Sequence, residues 1–192
     1  MKERGILFSA PMVKAILDGK KTQTRRLYKP AKGFPYEDGE ITPTSQDKWI
    51  EWGPCPYGAP GDRLWVRETT YSPLTGQSHV MQMNEGMIYA ADQSTRPAHY
   101  KTVPSIFMPR WASRITLEIV SVKVERLQDI SPEDCIKEGL STTLRDHDAC
   151  CALRDACRTL WESINGPGSW DANPYVWCIT FAPLPVAEGD VQ

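Results

Sequence analysis

The segment Gly19-Lys20-Lys21-Thr22-Gln23-Thr24-Arg25-Arg26 sets a lysine, a hydroxyl three residues on and an arginine two beyond that in one short stretch. In an extended or turning conformation Lys21, Thr24 and Arg26 can converge on one side. Buried near Arg26, the Lys21 amine would lose its proton more easily and could act as a base toward a hydroxyl. The other arrangements that carry chemistry are missing. No Gly-x-Gly-x-x-Gly, phosphate-binding loop, Gly-x-Ser-x-Gly or His-Glu-x-x-His occurs, and His79, His99 and His147 are widely separated. Six cysteines include no Cys-x-x-Cys, so packing thiols are expected rather than zinc. No metal and no cofactor is therefore expected.

The elements that must position the Lys21 segment follow from the local pattern. Ile6-Leu7-Phe8 reads as a short strand. Ser9 and Pro11 open a helix through Met12, Val13, Ile16 and Leu17 that Gly19 can close, so the basic cluster begins where a helix ends. Between Tyr28 and Asp62 lie six prolines and five glycines among 35 residues, with Phe34, Tyr36, Trp49, Trp52 and Tyr57 interspersed. A loop of that length with five aromatics is expected to pack on something, either as a lid over the basic cluster or as a cover for an apolar surface. Leu64 to Arg67, Val80 to Met83 and Met87 to Ala91 read as strands. Trp65 is expected in the core, and Glu68 in an ion pair with Arg67 or with the basic cluster.

Arg114 to Leu127 is the most informative strand. Ile115, Leu117 and Ile119 hold odd positions, whereas Val120, Val122 and Val124 hold even ones. A period of two that changes phase predicts a bulge near Ile119 and Val120 and a strand that bends. Ser131-Pro132-Glu133-Asp134 is a helix start with Gly139 as its stop. Ala149, Cys150, Leu153, Ala156, Cys157, Leu160, Trp161 and Ile164 then recur at helical spacing, and Tyr175 to Phe181 closes the chain as a strand. Strand, helix, loop, several strands, two helices and a final strand, without βαβ alternation, point to an α+β fold: a mixed β-barrel with helices outside it.

Charge is segregated along the chain. Residues 127–192 hold 4 basic and 11 acidic side chains, and residues 1–126 hold 18 and 13. The basic part can meet phosphate or simply be a solvated face. With a mean hydropathy of -0.43 and no long apolar run, no membrane span is expected. The start Met1 to Phe8 has only a three-residue apolar run before Ser9, which predicts no secretory leader and a cytoplasmic location.

Four elements in order carry a resemblance. They are the Gly-x-Lys-x-x-x-x-Arg element after a strand and helix, the Gly61-Asp62-x-Leu64 turn into a strand, Ile115-x-Leu117-Glu118-Ile119, and the closing Val176-x-Cys178-x-Thr180-Phe181. Together they resemble the ASCH domain, a family with a PUA-like β-barrel, in its longer phage- and prophage-encoded branch. The resemblance implies a single domain over residues 1–192, with insertions at 28–60 and 72–109, acting on a nucleoside or RNA. A bacterial branch of that family hydrolyses the amide of N4-acetylcytidine with a Lys, a Thr three positions later and a Glu on a later strand. Carried over by motif these are Lys21, Thr24 and Glu118, with Thr24 as nucleophile, neutral Lys21 as its base and Glu118 orienting the amine or protonating the leaving group. Arg26, or a backbone N–H, would polarise the acyl oxygen, and Lys20, Arg25, Trp52 and Arg114 would complete the substrate contacts. A non-catalytic RNA-binding module and a ribonuclease are the alternatives. In the first, Lys21 and Arg26 contact phosphate and Thr24 is a turn hydroxyl.

Overall fold

The computed structural model describes residues 1–29, 53–74, 87–141 and 146–185. Trp52, the strand expected at Val80 to Met83 and most of the proposed lid lie outside them. Strand β1 (Glu3–Leu7) leads into helix α1 (Ala10–Leu17), and β2 (Gln23–Leu27) follows. Then come β3 (Arg63–Arg67), β4 (Thr70–Pro73), β5 (Ile88–Tyr89), β6 (Tyr100–Val103) and the long β7 (Thr116–Arg126). Helices α2 (Pro132–Lys137) and α3 (Asp146–Asn165) precede the closing β8 (Tyr175–Pro183).

The fold is mixed α+β. Five strands form one sheet in the order β1-β3-β7-β8-β2, in which β1 and β3 are parallel and the other neighbours antiparallel. A second sheet, β5-β4-β6, sits beside it. The expected barrel is not closed by a backbone ladder among the described residues, since β1 and β2 remain edges. They are joined by a side chain instead. Arg26 on β2 donates through Nη2 to the Leu7 carbonyl at the end of β1, 2.6 Å away, and its guanidinium lies 5.2 Å from the centre of the Phe8 ring. The sheet curls far enough for one arginine to span its edges.

The bend has the cause read from the hydrophobic pattern. The β7–β8 register shifts between Ile119 and Ser121, so Leu117 and Ile119 before the shift and Val122 after it all face inward. These residues meet Ile6, Leu64, Val66, Ile179 and Phe181 in the main core. Helix α1 closes it with Val13 and Ile16, both buried. On the opposite face of the sheet, Leu127, Cys135, Leu153, Cys157, Trp161 and Val176 form a second core beneath α2 and α3. Trp65 belongs to neither. It is half-buried on the outer face of β3, flanked by the guanidinium groups of Arg67 and Arg110 at 5.3 and 5.9 Å.

Candidate functional site

Strand β2 is where the basic segment acquires its geometry. Thr24 lies opposite Ile179 and Arg26 opposite Trp177, so their side chains share the face of the main core. Gln23 and Arg25 point to the other face, toward α2. Helix α2 begins as its sequence predicts, with the Ser131 hydroxyl accepting from the Asp134 N–H at 3.1 Å and Pro132 in the first turn. It ends at Glu138 and Gly139, whose φ of 92° suits glycine. A side chain at Gly139 would also press on Ala15 Cβ at 3.0 Å and Lys21 Cβ at 3.2 Å. That close approach lets the end of α2 lie against the start of β2, where Thr22 N–H donates to the Lys137 carbonyl and Lys21 and Glu138 form a bridge.

The side chain of Lys21 is wholly buried. Its Nζ donates to the Gln23 carbonyl at 2.8 Å, the Glu138 carbonyl at 2.9 Å and Glu138 Oε2 at 2.6 Å. Three acceptors occupy all three N–H groups of an ammonium. Burial pulls the Lys21 pKa down, and Glu138 opposes that shift. Arg25, almost as buried, is ringed by Glu125, Asp134 and Glu138 with shortest contacts of 2.6, 3.0 and 3.2 Å. Its Nη1 also donates to Gln23 Oε1 at 2.8 Å. Burial alone would raise the Asp134 pKa, but Arg25, Lys137 and Lys123 outweigh it and hold the carboxyl below its ordinary value.

Thr24, Arg25, Arg26 and Glu138 line one pocket of about 80 Å³ at the free edge of β2, walled by Trp161 and Trp170 from the second core. Two of the lining residues carry donors that are buried without a hydrogen-bond partner, Arg26 Nε and Trp161 Nε1. A buried unpaired N–H costs about 1–3 kcal/mol, so each is a place where a ligand acceptor is favoured. Burial also pulls the Arg26 pKa below the usual arginine value.

The other sequence-derived residues lie elsewhere. Glu118 is exposed on β7, opposite Arg63 on one side and Ala182 on the other, and does not meet Lys21. Its even position in the first half of β7 turns it outward, and the bulge that reverses the alternation comes after it. The acid at Lys21 is Glu138, which no motif singled out. Lys20 points to solvent and pairs with Asp18 at 3.1 Å. Arg114 forms a fork with Glu68 at 2.9 and 3.0 Å and reaches Asp92 at 2.7 Å, with its guanidinium 3.9 Å from the Tyr89 ring centre. Glu68 thus has an arginine partner, but it is Arg114 rather than Arg67 or the β2 cluster. Trp52 lies outside the described residues. Among the described residues, no group of three or more His, Cys, Asp or Glu is placed to hold a metal ion. No helix of the described residues is long and apolar enough to cross a membrane.

No family model and no curated protein matches the chain. Among solved structures it is similar to an ASCH domain from Lactobacillus crispatus JV V101, at 13% identity over 95% of this chain and 79% of that one, with a TM-score of 0.41.

Proposed function

We propose that the chain is a nucleoside- or RNA-directed protein of the ASCH type that reads a base edge in the pocket beside β2. The observation that carries this reading is the pocket's mixed chemistry. Unpartnered donors on Arg26 and Trp161 suit a ring carbonyl, the Glu138 carboxylate suits an exocyclic amine, and Trp161 and Trp170 offer planar apolar surface. A cavity of about 80 Å³ admits several waters, so its depth takes the edge of one ring while sugar and phosphate stay outside. In this reading Lys21 is a positioning residue. Its hydrogen bonds to the Glu138 carbonyl and carboxylate hold that residue in place.

A second reading is hydrolysis of the amide of an acylated cytidine. It is favoured by Thr24 and Glu138 both lining the pocket. The Thr24 hydroxyl would attack the acyl carbon, its proton passing directly or through a water to Glu138 and on to the leaving cytidine amine. A water activated by the same carboxylate would then cleave the acyl–Thr24 ester, releasing the acid and restoring the hydroxyl. Glu138 then has the role expected of Lys21 as base and of Glu118 as acid, and Arg26 polarises the acyl oxygen. One experiment divides the readings. Purified protein is incubated with N4-acetylcytidine and with a short single-stranded RNA, and cytidine release, RNA cleavage and binding are followed. Binding of cytidine or RNA without turnover supports the binding module, cytidine release the amidohydrolase, and RNA fragments the ribonuclease. Neither binding nor turnover in any arm refutes a nucleoside role for the pocket.

A further inference from the structure

The second core holds a pair of thiols that the pocket chemistry does not use. Cys135 on α2 and Cys157 on α3 are both buried, and Cys157 Sγ donates to Cys135 Sγ at 2.8 Å. The two helices come from different parts of the chain, 22 residues apart, and meet at these sulfurs. Cys135 also forms one wall of a cavity of about 200 Å³ whose rim carries Cys150, Cys151 and Arg154, with Cys150 and Cys151 exposed. Cys157 faces the other way and lines the pocket beside β2. The pair therefore forms a partition between a thiol-rimmed entrance and the ligand pocket.

We propose that Cys135 and Cys157 form a reversible disulfide site, oxidised by hydrogen peroxide or a comparable small peroxide entering through the Cys135 cavity. The Cys135 thiolate attacks a peroxide oxygen. An S–O bond forms, the O–O bond breaks, and hydroxide leaves to combine with the proton that Cys135 has lost. Cys157 then attacks the Cys135 sulfur; the S–S bond forms, the S–O bond breaks, and the oxygen departs as water with the Cys157 proton. Two thiols supply two electrons, and one peroxide becomes two waters. The division of roles follows from access: Cys135 reaches the cavity, and Cys157 stands behind it. The hydrogen bond from Cys157 lowers the Cys135 pKa and raises that of Cys157, in keeping with Cys135 reacting first. The cross-link would tie α2, whose end holds Lys21 and Arg25, to α3, which walls the pocket. The site stands independently of what that pocket binds.

The test is a thiol map of the full chain. Reduced protein is titrated with hydrogen peroxide, remaining thiols are alkylated, and the digest is read by mass spectrometry with and without dithiothreitol. The expected result is a Cys135–Cys157 cross-linked peptide lighter by two hydrogens, formed at lower peroxide than any oxidation of the other cysteines and reversed by dithiothreitol. A Cys150→Ser/Cys151→Ser variant, altered only at the exposed rim, should form the same cross-link. With Cys157→Ser, Cys135 should stop at a sulfenic acid captured by dimedone. Cross-links dominated by Cys150 or Cys151, or Cys135 and Cys157 both still alkylatable as free thiols after the rim cysteines are oxidised, would overturn the proposal. The wild-type map decides the question even if the Cys157 variant does not fold.

Discussion

Among the described residues two arginines sit in carboxylate clusters that differ in depth and in what lies beside them. Arg114 faces Glu68 and Asp92 with its side chain a quarter exposed, and it clamps the end of β3 to the short helical turn after β5, against the Tyr89 ring. Arg25 is 3% exposed, has three carboxylates around it, and shares Glu138 with Lys21. The first cluster stands apart from the pocket beside β2. In the second, Arg25 and Glu138 themselves line the pocket beside β2. A buried ion pair is a poor source of net stability, which makes the position of the Arg25 cluster at a pocket its more informative feature.

Removing one charge from the denser cluster should do the greatest harm. Glu138→Ala strips the wholly buried Lys21 of its carboxylate and Arg25 of one of three, and an expected loss of about 3–5 kcal/mol would appear as a lower urea midpoint. A Lys21→Met/Glu138→Leu double variant should recover much of that loss, because both charges leave together. If Glu138→Ala costs less than about 1 kcal/mol, the Lys21 ion pair is not the device described here.

Arg114→Leu should cost less, about 2–3 kcal/mol, and its pH dependence should run opposite to that of the Arg25 cluster. Burial holds the Glu68 pKa above its ordinary 4.5 even with Arg114 present. An acid whose folded pKa is raised loses stability as pH climbs from its unfolded value through its folded one. Without Arg114 that rise is larger, so the variant should lie nearer wild type at pH 4 than at pH 7. Asp134 in the other cluster is held below its ordinary 3.8, so its contribution is present above that value and is lost as pH falls through the folded one. Asp134→Asn should flatten the acid limb of the stability curve. Urea denaturation at several pH values reads both effects, and equal slopes for the two variants would remove the contrast.

A smaller effect is expected at the helix that presents the acids. Ser131→Ala deletes the hydroxyl that accepts from Asp134 N–H and should cost about 1 kcal/mol, read as a shift in thermal midpoint. That cap also shows what could be read from sequence. Ser131-Pro132 and Gly139 bound α2, the change of hydrophobic phase locates the bulge in β7, and spacing identifies α3, because each signal is local. The charge segregation was legible too, but its meaning was not. The basic segment meets the acidic one inside the protein, where Lys21 and Arg25 face Glu125, Asp134 and Glu138. No local signal marks Glu138, because it becomes the partner of Lys21 only when two stretches 117 residues apart form a bridge. Glu118 carries the motif, yet the same alternation that reveals the bulge turns it outward. In the small sheet, β5 falls within the strand read at Met87 to Ala91, whereas β4 and β6 are four residues long, too short for a period to show.

The smallest expected change in stability belongs to Thr24, the residue that best separates the two proposed readings. Thr24→Val keeps the shape and the β-branch of a buried strand residue opposite Ile179, and its hydroxyl makes no hydrogen bond among the described residues comparable to those of Lys21 and Arg25. Its cost should stay within about 1 kcal/mol, which makes the variant a clean probe of the pocket. If Thr24 is a nucleophile, release of cytidine from N4-acetylcytidine should fall at least about 10²-fold while binding persists. If the pocket only binds a base, the variant should keep the wild-type affinity for cytidine within about threefold, since the acceptors of the ligand are met by Arg26 and Trp161. A Thr24→Val protein that stays folded and loses binding as well would instead make the hydroxyl itself a ligand contact. The recognition scheme would then need Thr24 beside the two unpartnered donors.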